Sequence, residues 1–139
     1  MIIVDTNVLS EALRLKPADS VKQWMHAQPS TSLFTTAICE AEILYGVSLL
    51  APGRRRAALA QAVAAIFDEE FAGRVLAFDS AAARTFAEIA ARRRRLGHPI
   101  SELDAQIAAI ASAHGAAVAT RNIEDFADCG IAVISPWEA

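Results

Sequence analysis

Short apolar runs alternate along the chain with longer stretches in which apolar residues recur at helical spacing. Ile2-Ile3-Val4 is a continuous β-branched run, suited to a strand buried on both faces. Leu33-Phe34-Thr35-Thr36, Val75-Leu76-Ala77-Phe78, Ala117-Val118-Ala119-Thr120 and Ala132-Val133-Ile134 read as four further strands. Between the first two, Val8 to Leu15 predicts a short helix stopped near Pro17. A second helix follows, capped by Asp19-Ser20, with Val21, Trp24 and Met25 on one face. Ala37 to Leu50 reads as a helix ended by Pro52-Gly53, with Ile38, Ala41, Leu44, Tyr45 and Ser48 along one stripe. Arg54 to Phe71 is a helix or helix pair turning Leu59, Val63, Ile66 and Phe67 inward. Asp79-Ser80 caps the next helix, which runs to about Leu96 and stops at Gly97-His98-Pro99. The last runs from Ser101-Glu102-Leu103-Asp104 through His114 and closes at Gly115. Strands alternating with helices predict an α/β fold around a mostly parallel sheet. No repeat, low-complexity tract or linker interrupts the 139 residues, so one domain, 1–139, is expected.

Composition narrows the picture. The chain is 54% hydrophobic but only 6% aromatic, which favours closely packed, alanine-rich helices over a β-sandwich. No apolar stretch is long enough to span a membrane and no signal-peptide pattern opens the sequence. Cys39 and Cys129 lack metal-ligand spacing and read as free thiols, so a reducing, cytoplasmic location is expected. A net charge of −3 argues against a generic nucleic-acid binder. The positive charge is clustered, however, in Arg54-Arg55-Arg56 and in Arg92-Arg93-Arg94-Arg95. The second run falls in the last turns of a helix, where it complements the dipole. Contact with phosphate is the functional alternative for the same residues.

Carboxylates stand at strand ends and in first helical turns: Asp5, Glu40, Glu42, Asp79, Asp104 and Asp125. In open α/β sheets, ligands bind at the carboxyl ends of strands, and Asp5 ends the first strand. Asp5 is equally an ordinary helix cap, as is Asp79, and Ser101-x-x-Asp104 matches a capping box. Glu40 is expected to face solvent. Glu42 precedes Gly46 by one turn, and glycine there costs about 1 kcal/mol relative to alanine. A bare Gly46 leaves room for something to approach Glu42. Clustered acids without basic partners share protons or hold a hard divalent cation such as Mg²⁺ or Mn²⁺. Such a cation would also reverse the pocket's repulsion of a polyanion.

The order Ile-Val-Asp5-Thr6-Asn7, Ala41-Glu42-Ile43 with Gly46, Asp104-Ala105-Gln106-Ile107-Ala108-Ala109, then Ala119-Thr120-Arg121-Asn122 with Asp125-Phe126 resembles a PIN domain. More narrowly, it resembles the VapC and FitB type toxins of toxin–antitoxin pairs. The likeness covers nearly the whole chain, including Pro-Gly-Arg-Arg-Arg and the closing Ile-Ser-Pro-Trp137. It implies a three-layer α/β/α sandwich with a five-stranded sheet in the order 3-2-1-4-5. It also implies a Mg²⁺- or Mn²⁺-dependent endoribonuclease that uses a metal-activated water, with Asp5, Glu42 and Asp104 as metal ligands. Thr6, Asn7 and Thr120 would support them, and Arg121, Arg92 and Arg93 are candidate RNA contacts. That strand order carries Asp79 to the sheet edge. Asn122 stands where many of these nucleases have a fourth carboxylate, leaving Asn122 and Asp125 both as candidates to complete the site. A homodimer is implied, as is a cognate antitoxin that inserts an arginine into the acidic pocket.

Other functions that place acids at strand ends fit less well. A phosphoryl-transfer receiver needs a lysine after a late strand, and both lysines, Lys16 and Lys22, lie early. The P-loop pattern is absent. The rival from another class is a PIN-like module that binds RNA or protein without cutting, against which the intact Asp5, Glu42 and Asp104 count.

Overall fold

A computed structural model describes residues 1–138. Its five strands are β1 (Ile2–Val4), β2 (Leu33–Thr36), β3 (Val75–Leu76), β4 (Ala117–Ala119) and β5 (Val133–Ile134). All pair in parallel, in the order β3-β2-β1-β4-β5, as the resemblance implied. Six helices connect them: α1 (Thr6–Ala12), α2 (Asp19–Ala27), α3 (Ala37–Ser48), α4 (Arg54–Ala65), α5 (Ser80–Arg95) and α6 (Glu102–Ala113). A π-helical turn (Ile66–Glu70) extends α4, and a 3-10 turn (Ile123–Phe126) follows β4.

Ile3 and Val4 point to opposite faces of the central strand, yet both are fully buried. Helices therefore cover the sheet on both sides, giving the expected α/β/α layers. Ile107 through Ala111 of α6 are all buried, and the three alanines among them let that helix press close to its neighbours. None of the described helices is long and apolar enough to cross a membrane.

The strand order decides where a site can form. Chain order reverses at β1, which pairs with β2 on one side and β4 on the other. Such a switch point opens a crevice outside the carboxyl ends of the strands. Asp5 follows β1 directly, and its backbone N–H still reaches the Ala119 carbonyl at 2.9 Å.

Several local expectations shift. Helix α1 starts at Thr6 rather than Val8, immediately after Asp5, and stops at Ala12. Asp19 lies in the first turn of α2 and Ala18 is its cap residue, without a side-chain hydrogen bond. On α3 the inward stripe is Cys39, Ile43 and Val47, while Leu44 and Tyr45 are exposed. Apolar residues surround that helix, so periodicity could not choose its face. Asp79 does cap α5, its Oδ1 accepting the Ala82 N–H at 2.9 Å. Trp24 is core, as expected.

Candidate active site

Three elements converge at the crevice. Asp5 comes from the end of β1, Glu42 from the second turn of α3, and Asp104 from the first turn of α6. All three line one open pocket of about 490 Å³, together with Thr6, Asn7, Ser10, Glu11, Arg14, Arg121, Asn122 and Trp137.

Asp5 is buried and meets only neutral donors. Its Oδ1 accepts the Thr6 N–H at 2.8 Å, and its Oδ2 accepts the Thr120 hydroxyl at 2.8 Å. The Cys39 thiol lies 4.0 Å from Oδ1. Burial, and then the neighbouring Asp5 charge, push that thiol up to about 11, so it stays protonated. The Thr120 hydroxyl also accepts from Asn7 Nδ2 at 3.2 Å and the Asn122 N–H at 3.1 Å. Both its lone pairs are then occupied, and its one proton is committed to Asp5. Asn7 Oδ1 accepts the Arg121 N–H at 3.2 Å, so one network ties Asp5 to the turn after β4. Thr6 is the corresponding tie to α3, its hydroxyl donating to Glu42 Oε1 at 2.9 Å.

Among the described residues, none of these three acids forms a salt bridge. Burial raises the Asp5 carboxyl from its ordinary 3.8 to about 6; hydrogen bonds from Thr120 and Thr6 oppose this, and the charges of Asp104 and Glu42 add to it. Glu42 is raised by burial and by Asp104, against its bond from Thr6. Asp104 is raised by burial and by Asp125, against Ser101 and Arg93. The single salt bridge among the described residues is peripheral: buried Glu11 takes Arg14 Nη1 at 3.4 Å and the Ala18 N–H at 3.0 Å.

Unfolded, Asp5 titrates near 3.8; folded, near 6. Between these values the folded chain holds a proton that the unfolded chain has lost, so metal-free stability should fall as pH rises through the window. The loss expected from Asp5 is roughly 2–3 kcal/mol. Thermal melts of metal-free protein across this range should show it, and Asp5→Asn should flatten that part of the profile. A profile that Asp5→Asn does not change would mean Asp5 is ionised throughout.

The remaining predicted residues separate. Asn122 lines the pocket; Asp125 does not, although its charge is felt at Asp104. Arg121 lines the pocket, whereas Arg92 is exposed elsewhere, against Ala87, Glu88, Ala91 and Arg95. Arg93 corrects the expectation of an RNA contact. It is buried, with Nε on the His98 carbonyl at 2.7 Å and Nη1 on the carbonyls of Asp125 (2.9 Å) and Ala127 (2.8 Å). Its guanidinium is occupied within the fold. Gly46 is exposed, and a Cβ there would meet nothing within 4 Å, so no contact inside the fold requires glycine.

Sequence reasoning did not place Ser10, Glu11, Arg14 or Trp137 at the pocket. Glu11 and Arg14 carried a faint signal as an i, i+3 pair. Trp137 follows β5 much as Arg121 follows β4, and the Arg121 guanidinium lies 5.0 Å above its ring.

Hard oxygen donors from three elements, unpaired with cations, suit a divalent ion such as Mg²⁺ or Mn²⁺. Among the described residues no three His, Cys, Asp or Glu side chains converge into a ready-made cage. Asp5, Glu42 and Asp104 border the pocket without closing such a cage, so an ion held there would keep several waters, as Mg²⁺ commonly does.

A family model described as "PIN domain" matches residues 2–130. The VapC ribonuclease Y4jK of Sinorhizobium fredii is 38% identical over 138 residues, 99% of each chain. Toxin FitB of Neisseria gonorrhoeae is 36% identical over 137 residues, again 99% of each. A solved structure of FitAB bound to an IR36 DNA fragment superposes with a TM-score of 0.93 at 36% identity, covering 99% of this chain and 96% of that one.

Proposed function

The chain belongs to the PIN-domain family, and we propose that it is the toxin of a toxin–antitoxin pair, a Mg²⁺- or Mn²⁺-dependent endoribonuclease. The observation that carries this reading is the meeting of Asp5, Glu42 and Asp104 in one pocket, each pushed towards protonation and none paired with a cation. The VapC relative is a ribonuclease by name and the FitB relative a toxin, which supports the same class.

In this reading Asp5, Glu42 and Asp104 hold the ion. When bound, it supplies positive charge to the scissile phosphate and acidifies water for attack on phosphorus. The chain's own groups do the rest. Thr120 and Thr6 hold the Asp5 and Glu42 oxygens in fixed directions through their hydroxyl protons, so little reorganisation is needed as charge develops. The Asn122 amide borders the same space and can orient water or a phosphate oxygen as a neutral donor, which favours it over the peripheral Asp125. Arg121 offers a guanidinium to the RNA backbone.

A nuclease of this kind requires restraint. The FitAB structure contains a partner beside the toxin, and we extend that arrangement to a cognate antitoxin here. An arginine from that partner would suit the carboxylates in place of the metal ion. A homodimer completes the proposed assembly.

The test is cleavage of end-labelled RNA with Mg²⁺, with Mn²⁺ and with EDTA, alongside growth after induction of this chain alone. Cleavage with either metal, its loss in EDTA, and growth arrest relieved by co-expressing a small protein encoded beside this chain are expected. Full cleavage in EDTA would sink the metal reading, and unimpaired growth the toxin reading.

A further inference from the structure

Neighbouring strands deliver two side chains to the same rim of the pocket. Arg121 stands two residues beyond β4 and Trp137 three beyond β5, and the Thr120 N–H to Ile134 carbonyl bond at 2.9 Å fixes those two strand ends together. The Arg121 guanidinium carbon lies over the Trp137 ring, 5.0 Å from its centroid, and both residues line the pocket that holds Asp5, Glu42 and Asp104. Arg121 is exposed and makes no salt bridge; its backbone N–H is anchored on Asn7. Trp137 is half-buried, its chain held by the Glu138 N–H on the Ser135 carbonyl at 3.1 Å. This places a partly exposed cation–aromatic pair beside three acids that form no salt bridge.

Resting on the ribonuclease reading above, we propose that the Arg121–Trp137 stack is a nucleobase platform that seats an unpaired base next to the phosphate being cut. Bases splayed from single-stranded RNA stack on aromatic rings and on guanidinium planes alike. The platform has both surfaces, and its charge also suits the adjoining phosphate. The acids repel the backbone that they must approach, so a contact made to a base rather than to a phosphate adds affinity without opposing them. Trp137 acts here as a positioning residue, holding the Arg121 guanidinium over its ring at the rim of the pocket.

The chain's other tryptophan, Trp24, is buried, so a bound strand can quench only Trp137. The experiment titrates the full chain, with Ca²⁺ present to neutralise the pocket, using short oligoadenylate and an abasic ribose-phosphate strand of equal length. Oligoadenylate should quench the fluorescence and bind about tenfold more tightly than the abasic strand, the effect of losing one stacked base. Trp137→Leu should bring the two affinities together, and Trp137→Phe should keep most of the difference. Equal affinity for the two strands in the unmodified chain, or an undiminished ratio in Trp137→Leu, overturns the platform. If Trp137→Leu fails to fold, the abasic comparison and Trp137→Phe still decide. Absence of RNA cleavage with the ratio intact would refute the nuclease reading and leave the platform standing. Cleavage with a ratio of one would do the reverse.

Discussion

Asp104→Asn is expected to lower RNA cleavage by about a hundredfold or more while the chain stays folded, since a metal ligand's share of transition-state stabilisation is several kcal/mol. Asp104 is one of four carboxylates that line the pocket, with Asp5, Glu42 and Glu11, and because Glu11 is already paired with Arg14 an amide at 104 removes one of the three acids that form no salt bridge. The fold should not suffer. The Ser101 cap of α6 rests on the Asp104 backbone N–H, at 3.2 Å, which asparagine retains. Removing the charge also relieves the repulsion that raises Asp5 and Glu42, so the metal-free melting temperature should hold or rise. Asp5→Asn should be as inactive and less stable. Two donors, the Thr6 N–H and the Thr120 hydroxyl, require both carboxylate oxygens, and asparagine has one. Thr120 cannot turn to accept instead, because Asn7 and the Asn122 N–H already fill its lone pairs. That mismatch costs about 1–3 kcal/mol and offsets the relief of burying a charge. Calorimetric titration with Mg²⁺ and thermal melts of both variants separate the two effects. Cleavage at the unmodified rate in either variant would remove that residue from the site.

The contrast between Asp5 and Asp104 shows how much of this site was legible from sequence. Asp5 and Asp104 read equally as caps or as ligands; in the structure Asp5 takes the first N–H of α1, the cap of α6 is Ser101 rather than Asp104, and both acids line the pocket. Strand positions were legible because β1 and β4 are short runs of small or β-branched residues. Their lateral order was not, since nothing local in Ile2-Ile3-Val4 says that it pairs with both Leu33 and Ala117; the order came with the family resemblance. Helix α3 shows a different limit. Ile38, Cys39, Ile43, Leu44, Val47 and Leu49 surround it, so helical spacing alone fits more than one buried face. Burial of Cys39, Ile43 and Val47 is settled by the sheet they cover. Trp137 escaped notice as a pocket residue for the same reason. Its partner Arg121 is near only because β5 lies beside β4.

Arg93 is the sharpest case of a residue whose type misled, and its loss should be the most damaging to stability of any surface-run arginine. Arg93→Ala is expected to destabilise the fold by about 3–5 kcal/mol, as breaking a buried charged network does. The side chain is 6% exposed and donates to the carbonyls of His98, Asp125 and Ala127. It thereby clamps three pieces of chain: the end of α5, the turn after it, and the 3-10 segment beyond β4. Alanine leaves those carbonyls without their donor, and bonds from charged groups are worth about 1.5–3 kcal/mol each. A single ammonium cannot span three diverging acceptors, so Arg93→Lys should recover only part of the loss. Arg92→Ala, an exposed change one residue away, should move stability by less than about 0.5 kcal/mol. Site chemistry should respond as well. Arg93 lowers the Asp104 carboxyl, so its removal should push Asp104 further towards protonation and weaken Mg²⁺ binding at neutral pH. Urea unfolding of the three variants tests the clamp, and Mg²⁺ titration of Arg93→Ala beside the charge-retaining Arg93→Lys is the readout at the site. If Arg93→Ala costs no more than Arg92→Ala, the guanidinium is not a clamp, and its place among the RNA contacts reopens.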